Sequence, residues 1–308
     1  MKYLHPTPLF FLCFSLILNT SQAEILLTES FESADHSASS ATTNTINFQW
    51  GGINKTGIIT QESDSGRRVY PTSRDEYFND GQDWSAKDGD YSLSIEYPAG
   101  AHMAEQRFSF SDPQTDFWLR YWIKVPENYS HGVGGGSAVN NKFLSIWTDG
   151  YSQAGQGSTF WLSMESAGGG NTNLAFTSTI GHGTSSQVMV QYTPFIDVAT
   201  DRGRWMQMVV HLVAETSDGA ADGIVQTWRR WENETNFTQL HDANNRQLRI
   251  PPNGPTGFAF GYLLGWANGT YSENTYWLID DVNIANTSLL TTGQALALPP
   301  SGFTGEGM

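Results

Sequence analysis

Short runs of alternating apolar and polar residues recur along this sequence, separated by clusters of Gly, Asn, Asp and Ser. A period of two is typical of half-buried β-strands, and no run has the longer period of an amphipathic helix. The pattern therefore predicts an all-β protein, a jelly-roll β-sandwich of two antiparallel sheets. The runs that predict strands are 91–97, 104–110, 117–125, 142–147, 159–165, 204–214, 224–231, 258–266 and 276–284.

The run 117–125 alternates without a break and suggests a function for one of its faces. Its odd-numbered residues, from Phe117 to Val125, are all apolar and are predicted to face the core. Its even-numbered residues alternate aromatic rings with cations and are Trp118, Arg120, Trp122 and Lys124. Flat rings beside fixed charges suit a sugar polymer, because a pyranose has an apolar C–H face and a polar rim. The alternative is that a neighbouring loop covers the two tryptophans.

The N-terminus has the features of an export signal. Lys2 provides a positive charge, residues 9–18 form a short apolar run, and Ser21-Gln22-Ala23 fits a cleavage site. We therefore predict a signal peptide over 1–23, one β-sandwich domain over 24–290 and a flexible tail or linker over 291–308, in a secreted or periplasmic protein. A retained anchor is the alternative, although the apolar run is too short to span a bilayer, so no stable membrane insertion is expected.

Composition limits the classes of partner. The chain has 31 Asp and Glu against 16 Lys and Arg, and no basic patch is visible, so nucleic acid is not expected as a partner. The one cysteine, Cys13, lies in the predicted signal peptide. The mature chain would then have no disulfide and would depend on core size or a bound metal for stability.

Two arginines lie on neighbouring predicted strands. If the runs 104–110 and 117–125 form a hairpin, Arg107 lies opposite Arg120 and Glu105 lies opposite Trp122. Opposed arginines repel each other unless an anion lies between them. That anion is either Glu105, which would make the arrangement structural, or the carboxylate or sulfate of an acidic polysaccharide, which guanidinium groups bind bidentately.

Further candidates share faces with tryptophans or lie in loops. Trp161 and Glu165 are on one face of their run, and Trp147 ends another run just before a turn. The candidate bases are His131 and His182, in glycine-bearing loops, and His211, which alternates with Trp205 and Gln207. A histidine within a strand is more often structural.

Acidic residues near both ends of the domain suggest a structural calcium site. Glu32 lies near the start of the predicted mature chain, and Asp280 and Asp281 lie in the last predicted strand. Calcium binds six to eight oxygens, and a shared ion would tie the first and last strands together. The alternative is that these acids are solvated at strand ends.

The sequence resembles the concanavalin A-like lectin/glucanase superfamily, and within it secreted polysaccharide-lyase-like jelly rolls. The resemblance rests on Phe31-Glu32, DGDYSL at 88–93, AEQRF followed by FWLRYWIKVPENY, RGRWMQMVVHL followed by DGIVQTW, and YWLIDDVNI. It implies a concave sheet that binds glycan and a calcium site at Glu32 and the Asp280/Asp281 pair. Alginate-lyase-like members have three motifs, of which Glu105-Gln106-Arg107 matches the first in part and Gln239-Leu240-His241 matches the second by letters. The third has no match.

Two hypotheses for function follow. The first is a secreted polysaccharide lyase in which Arg107 and Arg120 neutralise a uronate carboxylate, and a histidine or a tyrosine removes the adjacent proton. Sugars would contact Glu105, Trp118, Trp122, Lys124, Trp147 and Trp161. The second is a non-catalytic carbohydrate-binding module or adhesin that uses the same face. The paired-carboxylate strand of sandwich-fold glycosidases and the Gly-x-Ser-x-Gly elbow are both absent from the sequence.

Overall fold

A computed structural model describes residues 24–36, 41–72, 74–132, 140–149, 157–180 and 185–290. These residues form 18 strands and no helix, so the described part of the chain has no helix that could cross a membrane. The strands are β1 Ile25–Glu29, β2 Thr43–Asn44, β3 Phe48–Asn54, β4 Thr56–Glu62, β5 Ser65–Tyr70, β6 Glu76–Phe78, β7 Ser92–Tyr97, β8 Met103–Gln114, β9 Asp116–Lys124, β10 Asn140–Trp147, β11 Ser158–Gly168, β12 Asn171–Ile180, β13 Ser185–Ile196, β14 Trp205–Val213, β15 Gly223–Trp231, β16 Thr238–Arg246, β17 Phe258–Trp266 and β18 Thr275–Ala285.

The strands form two antiparallel sheets. The eleven-stranded sheet has the order β16-β15-β14-β9-β18-β7-β4-β5-β6, with β1 paired to β18 and β2 paired to β1. The seven-stranded sheet has the order β13-β12-β11-β10-β17-β8-β3. The predicted jelly-roll β-sandwich of two antiparallel sheets is therefore confirmed.

The core lies between the sheets and is built by alternation. On β9 the predicted core residues, from Phe117 to Val125 at every second position, are all buried in the main apolar cluster. They face the inner residues of the other sheet; Phe117, for example, stacks on Phe110 of β8 with ring centroids 5.6 Å apart. The inner face of β9 is thus predicted correctly from the alternation.

The predicted hairpin between β8 and β9 is wrong. The two strands are separated by Thr115 alone, and they belong to different sheets. Arg107 lies opposite Tyr262 of β17 and Arg120 lies opposite Val209 of β14, so the two arginines do not pair. The turn-forming letters that suggested a hairpin, at residues 111–114, are the end of a long strand that passes directly into the second sheet.

Several predictions concern residues outside the described ranges. They are the signal peptide, the tail, His182 and most of the glycine-rich loop 131–140. The second glycine-rich loop is described and forms the tight β11–β12 hairpin, in which Gly168, Gly169 and Gly170 all have positive φ. Three adjacent left-handed residues explain the glycine run, because side chains disfavour that conformation.

Candidate functional site

The outer face of β9 is covered by the protein itself. Trp118 is 8% exposed and Trp122 is 9% exposed, so neither forms an open platform. Trp118 packs against Trp228, Val209 and Leu289, and the last of these lies just after β18. The alternative reading of the alternation, tryptophans beneath a neighbouring segment, therefore describes this face.

Trp122 is covered by the segment between β6 and β7 together with Arg230 of β15. Lys87 Nζ lies 4.8 Å, and the Arg230 guanidinium 5.6 Å, from the centre of the Trp122 ring. We call residues 79–91, between β6 and β7, the covering segment. Its Trp84 is 1% exposed and belongs to one apolar cluster with Trp122, Trp205 and Tyr276. Gly66 of β5 makes room for it, because a Cβ at that position would lie 2.5 Å from the Trp84 ring.

The two cations on β9 are also directed at the protein's own chain. Lys124 is 4% exposed, and its Nζ donates to the backbone oxygen and to the carboxylate of Asp83 in the covering segment. Arg120 is 9% exposed and donates from Nη1 to the Leu289 oxygen at 3.4 Å. Burial lowers the pKa of Arg120, although the nearby Asp281 carboxylate opposes that shift. These residues stabilise the cover over the sheet.

The acids predicted to bind calcium hold the covering segment. Asp280 is fully buried and accepts hydrogen bonds from the backbone N–H groups of Lys87, Asp88 and Asp281 at 2.7–3.1 Å. Glu32 accepts hydrogen bonds from the backbone N–H groups of Asp90 and Tyr91.

This donor set does not fit a calcium ion. N–H groups present partial positive charge to the carboxylates, which is the role that a cation would otherwise play. Asp281 instead accepts from Asn283, and the described residues contain no group of three or more His, Cys, Asp or Glu able to hold a metal. Burial raises the pKa of Asp280 well above its usual range, and the three N–H donors oppose that shift.

His211 lies on the covered face with both ring nitrogens engaged. Nε2 lies 2.9 Å from Asp116 Oδ1, and Nδ1 lies 2.9 Å from Gln226 Oε1. Because the Gln226 amide nitrogen donates to Asp242, its oxygen is the atom turned toward the ring. The ring also stacks on Trp118 with centroids 3.9 Å apart. Both ring nitrogens thus face groups of the protein itself, and neither is directed at a ligand.

The other histidines are not on a common surface either. His131 is 2% exposed, and its Nδ1 lies 3.4 Å from the hydroxyl of the buried Tyr129. His241, in the Gln-Leu-His element, is 1% exposed between Thr227 and the Leu174 oxygen. His182 lies outside the described residues, so the structure does not place it.

The outer face of the seven-stranded sheet brings other predicted residues together. Reading the register across four strands gives a row of directly opposed residues: Arg107 on β8, Tyr262 on β17, Ser145 on β10 and Trp161 on β11. Thr177 on β12 continues the row. Opposed side chains on one face lie about 5 Å apart at Cβ, so the row spans the middle of the sheet.

Cations on this face are paired with aromatic or acidic neighbours. Lys142 Nζ lies 4.6 Å from the centre of the Trp161 ring, a cation–π distance. Burial lowers the pKa of Lys142, and the negative charge of Glu165 opposes that shift. Arg107 Nε donates to Glu105 at 2.6 Å, as in the structural interpretation of Glu105, yet the Arg107 side chain remains 44% exposed.

Space is available beside Arg107. The neighbouring strand β3 carries Gly51, whose hydrogen lies over Arg107 where a Cβ would approach Arg107 Cβ to 3.0 Å. Gly52 follows at a break in the register, and a Cβ there would contact nothing within 4 Å. Two residues without side chains therefore lie on the neighbouring strand next to the Arg107 position.

Trp147 lies on the same face and is more deeply buried than Trp161. It is 5% exposed, stacks on the half-buried Phe260 with centroids 6.0 Å apart, and lies 5.8 Å from the Tyr262 ring. The predicted site residues thus divide between two surfaces. The outer face of the seven-stranded sheet carries Arg107, Glu105, Trp147 and Trp161. The outer face of the other sheet carries Trp118, Trp122, Arg120, Lys124 and His211.

Sequence reasoning missed Tyr262 and Lys142. Tyr262 lies in FAFGYLLGW, a run so apolar that it indicates burial on both faces. Its place beside Arg107 depends on the pairing of β17 with β8, which are more than 140 residues apart in the chain. Lys142 is the first residue of the run KFLSIW. It lies opposite Ser163, which alternates with Trp161 and Glu165, so its place on their face follows only once β10 and β11 are known to pair.

Comparison with known proteins gives distant similarities of fold. No family model matches the chain, and no curated protein matches it. Among solved structures, it is similar to a PL-14 alginate lyase from Aplysia kurodai (15% identity, TM-score 0.44, 64% of this chain and 84% of that one). It is also similar to the alginate lyase Aly36B (12%, TM-score 0.46, 76% and 97%) and to the Ca2+/Man3GlcNAc-bound exoplasmic/lumenal domain of VIP36 (11%, TM-score 0.42, 86% and 92%). Similarity at this level carries no argument about activity.

Proposed function

We propose that this protein binds a polysaccharide across the outer face of its seven-stranded sheet. One observation carries the proposal: the row Arg107–Tyr262–Ser145–Trp161, with Lys142 against the tryptophan ring. The indole ring suits the C–H face of a pyranose, and the two cations suit a ring carboxylate. Uronate-containing polymers combine both features, so they are the favoured class.

The net charge of the chain does not oppose this substrate. The formal charge is −15, but salt screens distant charges over about 10 Å at 0.1 M. Near the row, the carboxylates of Glu105 and Glu165 neighbour Arg107 and Lys142, so the local surface is balanced rather than acidic. Nucleic acid and membrane insertion are not part of the proposal.

The finer proposal is cleavage by β-elimination. Arg107 would neutralise the uronate carboxylate, which makes the hydrogen on the adjacent carbon more acidic. A base would take that proton, and the electron pair of the C–H bond would form a carbon–carbon double bond. The glycosidic C–O bond would break, and the leaving oxygen would become a hydroxyl by taking a proton from the protonated base or from water. Tyr262, as its phenolate, is the candidate base, because it lies directly opposite Arg107, whereas His102 lies beside Trp266, five residues before Arg107 in the chain.

A non-catalytic binding module remains the second candidate. The observation that favours it is the 2% exposure of Tyr262, which limits how closely a sugar carbon approaches its hydroxyl. Such a module would use Arg107, Lys142 and Trp161 to bind the polymer without cleaving it. In either case we propose a secreted or periplasmic location, with residues 1–23 as signal peptide and 291–308 as tail.

The test combines binding with product formation. The protein is incubated with alginate, polygalacturonate and a neutral β-glucan, and unsaturated uronate is followed by ultraviolet absorbance beside a pull-down assay. We expect Arg107→Ala and Trp161→Ala to weaken binding of an acidic polymer about tenfold, and Tyr262→Phe to remove product while binding persists. Tyr77→Ala, an exposed aromatic on the other sheet, is the control. Binding without product supports the module, and no binding of any polymer refutes the proposed function.

A further inference from the structure

The most exposed tryptophan described in this protein lies at the end of β17. Trp266 is 46% exposed and lies directly opposite Met103 of β8. Met103, Glu105 and Arg107 occupy alternate positions of one strand, so all three share a face. Alternation along β17 is interrupted between Tyr262 and Trp266, because Leu264 has a positive φ and is buried in the core cluster. The pairing with Met103 therefore places Trp266 at the end of the outer face that carries Arg107.

The ring of Trp266 is held in place from two sides. His102 stacks against it with centroids 5.1 Å apart and planes 8° apart, and His102 Nδ1 is oriented by the Ala267 oxygen at 2.8 Å. Trp266 Nε1 donates to Asn268 Oδ1 at 2.9 Å. Asn268 is itself fixed, because its backbone and side-chain nitrogens both donate to Asn140.

This support has a consequence for binding. An exposed aromatic side chain ordinarily loses rotamer freedom when a ligand stacks on it, and that loss reduces affinity. At Trp266 the hydrogen bonds and the stacked imidazole fix the ring before any ligand arrives. A structural role in the core does not explain this arrangement, because nearly half of the side chain is in solvent.

We propose that Trp266, backed by His102, is a stacking platform for a pyranose ring farther along the same polysaccharide. The inference rests on the proposed function and extends it. Trp266 is four residues from Tyr262 on one strand, which corresponds to about 13 Å. A chain bound at Arg107 and running along β17 would reach this ring, whereas a short fragment at Arg107 would not. The platform would therefore select for chain length.

Binding of alginate oligosaccharides of increasing length tests the proposal. Trp266→Ala should weaken binding of long oligosaccharides about three- to tenfold and leave the shortest bound fragment unaffected. Trp266→Phe should retain most of the long-chain affinity, because it keeps a flat ring. Tyr77→Ala is the matched exposed-aromatic control, and circular dichroism confirms that each variant folds.

Each outcome separates this inference from the proposed function. If Arg107→Ala weakens binding and Trp266→Ala changes no oligosaccharide, the platform is refuted while the site at Arg107 stands. If Trp266→Ala alone weakens binding, the platform stands and the central row fails. Equal losses for short and long fragments also refute a length-selective platform, and absence of binding to every oligosaccharide overturns both.

Discussion

The two outer faces of this sandwich resemble each other in composition and differ in what lies over them. Each face carries tryptophans beside cations: Trp118, Arg120 and Trp122 on the eleven-stranded sheet, and Trp161 and Lys142 on the seven-stranded sheet. On the first face the tryptophans are at most 9% exposed. On the second face Trp147 is 5% exposed, but Trp161 is only half-buried and the Arg107 side chain is 44% exposed. The difference comes from the connections, because residues 79–91 and 286–290 lie over the first face.

The charged groups differ in the same way. On the covered face they bind the chain that forms the cover, as Lys124 binds Asp83 and Arg120 binds the Leu289 oxygen. On the other face, Arg107 binds Glu105 from the same strand and Lys142 lies against Trp161. An aromatic–cationic stripe therefore serves to hold a segment of its own chain on one sheet and suits a foreign polymer on the other.

The largest expected effect separates the two faces by stability. Trp122→Ala should lower the free energy of unfolding by about 3–5 kcal/mol, because it opens a cavity beneath the covering segment. Trp161→Ala should lower it by about 1 kcal/mol, because that side chain is only half-buried. Urea unfolding of both variants measures the difference. Equal losses would mean that the two faces are buried alike, and the comparison would fail.

The second prediction concerns the acid that anchors the cover. Asp280→Ala leaves the backbone N–H groups of Lys87, Asp88 and Asp281 without an acceptor, which should cost about 3 kcal/mol. Loss of the anchor should also expose Trp122, and acrylamide quenching of tryptophan fluorescence reports that change.

Calcium gives this prediction a further readout. Because backbone N–H groups already donate hydrogen bonds to Glu32 and Asp280, we expect the melting temperature of the unmodified protein to be the same with chelator and with calcium. A melting temperature that rises with calcium concentration, and no longer does so in Asp280→Ala, would restore the calcium site expected from the sequence.

Alternation along the strands predicts much of this fold. It places nine of the 18 strands, the inner face of β9, and the shared faces of Trp161 with Glu165 and of Trp205 with His211. Each of these depends only on the period of two within one strand. The other nine, β1–β6, β12, β13 and β16, are not among the predicted runs. Two of them, residues 43–44 and 76–78, are too short to show alternation, and the run FQWGGIN is interrupted by glycines.

The candidate site could be predicted only in part, because two of its determinants are not local. The pairing of Arg107 with Tyr262 depends on which strand lies beside β8. The chain changes sheets at Thr115, and nothing in the local sequence around that residue indicates the change. The covering of Trp122 depends on Lys87, 35 residues away, whose backbone N–H is held by Asp280 in the last strand. Alternation indicates which residues face outward, but it contains no information about distant segments that cover them.

The third prediction uses acid to test the covered interior. His36 is 4% exposed between Trp50 of one sheet and Tyr70 of the other, and both ring nitrogens lack hydrogen-bond partners. Burial lowers its pKa to about 4, although Asp35 opposes that shift. Above the unfolded pKa of about 6.5 the imidazole is neutral in both states, and the fold keeps its full stability. As the pH falls from 6.5 toward 4, the unfolded chain binds a proton more readily than the folded chain, so stability is lost.

The size of this effect is about 3 kcal/mol between pH 7 and pH 4, from the separation of the two pKa values. Replacing the imidazole by an apolar ring in His36→Phe removes the titration, so the unfolding free energy of the variant should fall less over the same range by about that amount. Chemical unfolding at a series of pH values provides the comparison. Parallel pH profiles for the two proteins would show that His36 titrates alike when folded and unfolded.

The smallest expected effect concerns the proposed polymer-binding face at alkaline pH. Burial lowers the pKa of Lys142, so its ammonium should lose its proton at a lower pH than an ordinary lysine. Affinity for an acidic polymer should then fall as the pH rises through that pKa, by about threefold, the scale of a partly exposed ion pair. Lys142→Arg should keep its affinity over the same range, because guanidinium stays charged.

Binding of alginate measured from neutral to alkaline pH, with the melting temperature of each protein followed in parallel, distinguishes loss of this charge from loss of the fold. A decline shared by the Arg variant would assign the effect to another group on the face and would remove Lys142 from the proposed site.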